Sequence, residues 1–151
     1  MATKQNENNG SLALFMANNL EPIHTVKYAA TTRIKDKDGN PVEWELRAPT
    51  LEEITAIEKR NTKRTFDRNT QTWDERVDSA EYQLEVACAC TVFPDLQNAE
   101  LQKSYGVMGE KRLLKKLLSL PGDYAQYVAK VFELSATNGV TAEDVDEAKN
   151  S

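Results

Sequence analysis

Hydrophobic and polar positions follow two different periods along this chain, and the switch between them outlines the fold. The strongest pattern lies in residues 100–136. Leu113, Leu117 and Leu120 recur at spacings of four and three, with Leu114 and Leu118 beside them, while Lys111, Arg112, Lys115 and Lys116 fill the other side. This is the apolar stripe of an amphipathic helix, predicted over 110–119. Pro121 cannot sit inside a helix but suits the first turn of one, so it ends one helix and opens a second over 122–135. That second helix places Tyr124, Val128 and Val131 on one face, with Tyr127 and Leu134 beside them. Joined by a short break, the two are expected to pack as a helical hairpin.

Residues 25–35 change period. Val26, Tyr28, Ala30, Thr32 and Ile34 alternate with Lys27, Ala29, Thr31 and Arg33, as in a strand with one buried face. Residues 36–41 read as a turn with Gly39 available for positive φ. Val42, Trp44 and Leu46 resume the alternation over 42–48, so the two strands form a β-hairpin. Its outer face sets Lys27 and Arg33 against Glu43 and Glu45, pairs that favour one register. Pro49 stops the second strand, and Thr50 with Glu53 makes a capping-box pattern at the head of a helix over 51–60.

Residues 61–76 are polar and mixed in charge, and read as a long loop anchored by Phe66 and Trp73. A helix over 79–92, begun by Asp78 or Ser79, has a small-residue middle, Ala87-Cys88-Ala89-Cys90. Neighbouring helices can approach it closely, which makes it the expected centre of the molecule. Asn98 is placed to cap a short helix that runs to Tyr105 and stops at Gly106. Near the start, Ser11 can cap a small apolar segment, Leu12 to Leu20, that could dock on the main body. The pattern therefore predicts an α+β fold with an N-terminal β-hairpin packed on a mainly α-helical body. Leu84, Cys88, Leu113, Leu117, Val128, Val131 and Trp44 are its expected core. Residues 1–10 are expected to be disordered, 11–136 to form a single domain, and 137–151 to be an acidic flexible tail or frayed helix.

Composition narrows the function. A chain of 151 residues is long enough for a real core, and its net charge of −5 argues against a bulk field that attracts nucleic acid. Two cysteines do not indicate a disulfide framework, and a reducing cytoplasm is the simpler setting. No apolar run approaches the roughly 20 residues that span a bilayer. Cys88 and Cys90, two apart on a helix, point about 200° apart and cannot share a metal. Asp36-Lys37-Asp38-Gly39-Asn40 puts glycine fourth, where a calcium-binding EF-hand loop needs it sixth, so a hairpin turn is the simpler reading. One histidine, His24, weakens any histidine-assisted nucleophile, and no phosphate-binding glycine-rich loop is present. No catalytic, metal or cofactor site is expected. Between residues 100 and 120 five cations stand against two carboxylates. Lys111, Arg112, Lys115 and Lys116 could thus bind an anionic membrane or nucleic acid, or be the solvated face above a buried leucine stripe, a face that the acidic residues Glu143, Asp144, Asp146 and Glu147 could neutralise.

Several stretches also resemble a known family. These are Val26-Lys27-Tyr28 and the strand after it, residues 36–53 (DKDGNPVEWELRAPTLEE), residues 89–118 with SYGVMG, and residues 120–134 with LPGDY. In this order they are similar to the XkdN-like tail assembly chaperones of contractile-tailed bacteriophages and prophages. The resemblance implies a non-enzymatic chaperone in the cytoplasm of the bacterial host, absent from the mature virion. It implies the tape measure protein as partner, kept soluble while tail tube protein polymerises around it, with the tail tube protein and self-association as further candidates, and neither nucleic acid nor membrane. It supplies no catalytic residues and no partner motif; Phe66, Trp73, Lys111, Arg112, Lys115 and Lys116 are the candidate contacts from the residues themselves. A tail component retained in the virion, such as a tube or baseplate-hub protein, is the leading alternative, and an adaptor for nucleic acid or membrane the next. Some such chaperones are made in a second, frameshifted form, and Ala148-Lys149-Asn150 can be encoded by a slippery heptamer.

Overall fold

A computed structural model describes residues 10–137. The expectations for the N-terminal nine residues and for 138–151, including the tail and the frameshift site, lie outside the described residues. The fold is α+β. Strand β1 (Thr25–Tyr28) pairs antiparallel with β2 (Trp44–Arg47), setting Tyr28 opposite Trp44 and Lys27 opposite Glu45. Helix α1 (Leu51–Arg60) follows, then strands β3 (Thr62–Asp67) and β4 (Thr72–Val77). Helix α2 (Ser79–Cys90) leads into strand β5 (Thr91–Phe93). Helices α3 (Ala99–Ser104), α4 (Glu110–Leu117) and α5 (Pro121–Ala136) complete the described chain.

The predicted β1–β2 hairpin is present with shorter strands. Beyond Tyr28 the alternation ends because Ala30 and Thr31 are both buried, which successive residues of a strand with one buried face cannot be. The Thr31 hydroxyl accepts the Arg33 amide at 3.2 Å and bends the chain. The turn forms as expected. Gly39 has φ +84°, and one Asp36 carboxylate oxygen accepts the amides of Asp38 and Asn40 at 2.9 and 3.0 Å.

Three sequence expectations are corrected. The helix expected to reach residue 92 ends at Cys90, because Thr91-Val92-Phe93 pairs with β2 instead and makes a three-stranded sheet of order β1-β2-β5. Two β-branched residues and an aromatic ahead of Pro94 suit a strand better than a last helical turn. Residues 61–76 are not a loop: β3 and β4 form a second, separate hairpin with six residue pairs in register. The apolar segment after Ser11 does not dock. It forms two short 3₁₀ turns, Leu12–Phe15 and Ala17–Asn19, and Leu12, Phe15 and Leu20 are exposed.

The core sits where the stripes pointed. Helix α2 packs against α1, α4 and α5 and buries Leu84, Val86, Ala87, Cys88 and Cys90. Leu113, Leu114, Leu117 and Leu118 join the core from the α4 side, and Tyr127, Val128, Val131 and Leu134 from α5; the two helices pack chiefly on α2 and not on each other as the expected helical hairpin would. Trp44, Leu46 and Ala48 close the core from the sheet. Trp44 meets Tyr127 edge-on at 5.3 Å between ring centroids, and the hydroxyl of the buried Tyr127 shares a hydrogen bond with that of the half-buried Thr91. The caps follow the sequence. Thr50 and Glu53 form both halves of a capping box, Asp78 and Asn98 each accept the amide three residues on, and Pro121 opens α5.

Candidate functional site

Side chains on β3 and β4 alternate between two faces, and the register decides which ones meet. One face collects Arg64, Phe66, Trp73 and Glu75; the other Lys63, Thr65, Asp74 and Arg76. Phe66 and Trp73 stand directly opposite one another with ring centroids 5.2 Å apart. The Arg64 guanidinium lies 4.6 Å from the Trp73 ring centroid and 3.7 Å from the Glu75 carboxylate across the ladder. Both aromatics stay open to solvent, Phe66 at 47% and Trp73 at 58%. An isolated two-stranded hairpin is marginal in water, so cross-strand contacts of this kind hold it. At its root the Thr62 hydroxyl donates to the Glu58 carbonyl at 2.7 Å, and the Asp78 amide to the Asn61 carbonyl at 2.8 Å. The arm thus grows directly from the end of α1 and returns into the start of α2. Thr55, Glu58 and Lys59 of α1 line an open groove of 470 Å³ with Thr62, Arg64 and Glu75 of the hairpin.

The four cations of α4 do not act as one patch. Lys111 turns to α2, where its Nζ lies 3.0 Å from Glu85 and 3.4 Å from Glu81. Glu85 also accepts from Arg60 at the end of α1, at 2.9 Å. Burial alone would push the Glu85 carboxyl up, but the hydrogen bonds from Lys111 and Arg60 outweigh it and hold it below the ordinary glutamate range. Arg112, Lys115 and Lys116 are exposed and make no ion pair among the described residues. Leu113, Leu114, Leu117 and Leu118 beneath them are buried, as a solvated face over a core requires, while Leu120 at the end of the stripe is half exposed. These three cations border a shallow groove of 420 Å³ with Val107 and Ser119.

The structure therefore brings Phe66 and Trp73 together, separates Lys111 from Arg112, Lys115 and Lys116, and shows no hydrogen bond or ion pair between hairpin and α4 among the described residues. Sequence reasoning missed Arg64 and Glu75 as neighbours of the aromatics. The signal was there as two six-residue segments, each with one aromatic and opposite charge, around Arg68-Asn69-Thr70-Gln71. The remaining ionisable groups with strong shifts belong to the framework. Arg47 and Glu53 pair through two hydrogen bonds of 2.8 and 2.7 Å. Those bonds from Arg47, aided by the Thr50 amide, hold the Glu53 carboxyl at about 2. Burial pushes the Cys88 and Cys90 thiols up to about 12, so neither is a thiolate at neutral pH.

A family model described as phage XkdN-like tail assembly chaperone protein matches residues 12–149. Two proteins of Bacillus subtilis (strain 168) are similar along nearly the whole chain. The phage-like element PBSX protein XkdN is 29% identical over 150 residues, which cover 98% of this chain and 99% of that one. The uncharacterized protein YqbN is 31% identical over 150 residues, 98% of each chain. The crystal structure of YqbN has a similar fold, with a TM-score of 0.69 at 26% identity, covering 83% of this chain and 96% of that chain.

Proposed function

The chain belongs to the XkdN-like family of phage tail assembly chaperones, and on that premise we propose that it binds the tape measure protein and keeps it soluble during tail assembly, with the β3–β4 hairpin as the principal contact. The carrying observation is the cluster of Arg64, Phe66 and Trp73 on an arm with no core of its own. Tryptophan and arginine are the side chains that most often dominate binding energy, and large rigid aromatics give contact area at low entropic cost. A carrier of a long, helical, apolar client needs apolar contacts outside its own core, and the exposed Phe66–Trp73 pair offers one. The net charge of −5 on the whole chain keeps the loaded carrier dispersed. On this reading the protein works in the cytoplasm of the bacterial host, passes its client to the growing tail tube, and is absent from finished particles.

Co-expression with the tape measure protein from the same gene cluster tests this directly. The client should move from pellet to supernatant and co-elute with the chaperone on gel filtration. Unchanged client solubility with no co-eluting complex rejects the proposal. Recovery of the chain in purified virions would instead mark a retained tail component.

A further inference from the structure

The hairpin is not the only surface left unpartnered. Arg112, Lys115 and Lys116 stand without a carboxylate partner among the described residues of a chain that carries five more acidic than basic side chains. They surround a groove with Val107 in its lining. We infer that this groove receives an acidic, amphipathic helical segment of the client, its carboxylates on Arg112, Lys115 and Lys116 and its apolar side chains on Val107. The inference rests on the chaperone reading above and deepens it by naming a second contact and its chemistry.

Other occupants fit less well. A membrane would need the apolar stripe of α4 to enter the bilayer, but Leu113, Leu114, Leu117 and Leu118 are committed to the core. Nucleic acid binds along a track of cations that neutralises many phosphates; here three cations sit on an acidic protein, and Val107 beside them has no role toward phosphate. Carboxylates flanked by apolar groups match both halves of the groove. Lysine and arginine stems also cover apolar surface while their charges stay in water, so the cations and Val107 can serve one ligand together.

The probe is a set of overlapping peptides, each about 20 residues and so about 30 Å long as a helix, that tile the tape measure protein and are read by fluorescence anisotropy against the full chain. Peptides with net negative charge and apolar residues at helical spacing should bind. The R112E/K115E/K116E variant should weaken them about tenfold or more, since three exposed pairs are lost and replaced by repulsion. Peptides with their Glu and Asp changed to Lys should regain binding to that variant. Trp44 emission and urea midpoint check that the variant is folded. Equal binding by wild type and variant overturns the inference, as does binding led by basic peptides. Tighter binding to anionic vesicles or DNA than to any peptide overturns it too. If peptides bind only once Glu143, Asp144, Asp146 and Glu147 are made amides, the groove's occupant is the chain's own acidic segment, and the inference fails. A change of oligomeric state in the variant without loss of peptide would mark a contact between copies and count against it. The two proposals separate cleanly: a variant that loses no peptide yet still solubilises the client sinks the groove and leaves the chaperone reading intact, whereas a wild-type chain that never solubilises the client sinks the chaperone reading.

Discussion

Leu117 and Leu120 lie three residues apart on what the sequence shows as one stripe, and the structure gives them opposite fates. Leu117 is 5% exposed in the core beside α2, whereas Leu120 is half exposed where α4 passes into α5. Leu117→Ala removes three buried carbon groups. At about 0.8 kcal/mol each the transfer loss is about 2.4 kcal/mol. The cavity left behind adds to this, because a core held by four helices and a sheet collapses only partly, and the total for such substitutions reaches about 2–5 kcal/mol. An expected loss of about 3 kcal/mol is a large part of the roughly 5–15 kcal/mol that holds a domain together, but leaves the variant folded. Leu120→Ala, with about half of the same surface already in water and no enclosed cavity to leave, should cost only about 1 kcal/mol. Urea unfolding followed by Trp44 fluorescence in a Trp73→Phe background reads both, since Trp44 is 1% exposed and reports the core alone. With a slope of about 2 kcal/mol per molar urea, the Leu117→Ala midpoint should fall by about 1.5 M. Equal costs at the two sites, or a Leu117→Ala loss below about 0.5 kcal/mol, would refute the packing and make the leucine stripe a candidate partner-binding face again.

Acid should remove stability through Glu53. Its folded pKa, about 2, lies below the ordinary 4.5, so the unfolded chain takes up the proton first; the contribution is complete above pH 4.5 and disappears as pH falls toward 2. Glu53→Gln should flatten the stability curve over that window, and a slope identical to wild type would clear the Arg47–Glu53 pair of any part in it. Cys88 and Cys90, buried and pushed up to about 12, should resist a disulfide reagent at mildly alkaline pH in the native protein and both react in urea; fast native labelling would contradict their place in the core. Phe66→Ala and Trp73→Ala should each cost no more than about 1 kcal/mol of stability, since the pair is exposed, yet abolish client co-elution. Retained co-elution in the double variant would move the contact away from the hairpin.

Elements that bury one side and leave the other in water were legible in the sequence. The stripes of α4 and α5, the alternation of Trp44, Leu46 and Ala48, and the Thr50–Glu53 box each carry a local pattern with one physical solution, and each formed. The β3–β4 hairpin escaped because it buries almost nothing. With no apolar face to alternate against, its residues show only cross-strand matches, Arg64 with Glu75 and Phe66 with Trp73, which need the register to be known before they can be seen. Strand β5 escaped for the opposite reason: it continues an apolar helix, and only pairing with β2 ends that helix at Cys90. The sequence names the candidate contacts one by one and does not show which of them stand together. Lys111 looks like its neighbours in sequence, and only the carboxylates of α2 remove it from the solvent-facing set.

Those same carboxylates join the two proposed surfaces. Glu85 holds Arg60, the last residue of α1 before the hairpin, and Lys111, which precedes Arg112 of the basic groove. One partly buried carboxylate therefore anchors the root of the arm and the head of α4 together. Glu85→Gln keeps the shape and removes the charge. Arg60 is largely solvated and Lys111 retains Glu81, so the loss of global stability should stay at about 1–2 kcal/mol. Its signature is in the distribution of the loss. Amide hydrogen exchange should quicken at the end of α1 and root of β3, and also at the first hydrogen-bonded amides of α4, from Leu113 on, while the interior of α5 stays protected. If only one of the two segments responds, each surface is anchored by its own packing and Glu85 is an ordinary surface pair. If both respond, a client bound at one surface meets a partner surface held by the same residue, and Glu85→Gln should weaken client binding although it touches no client.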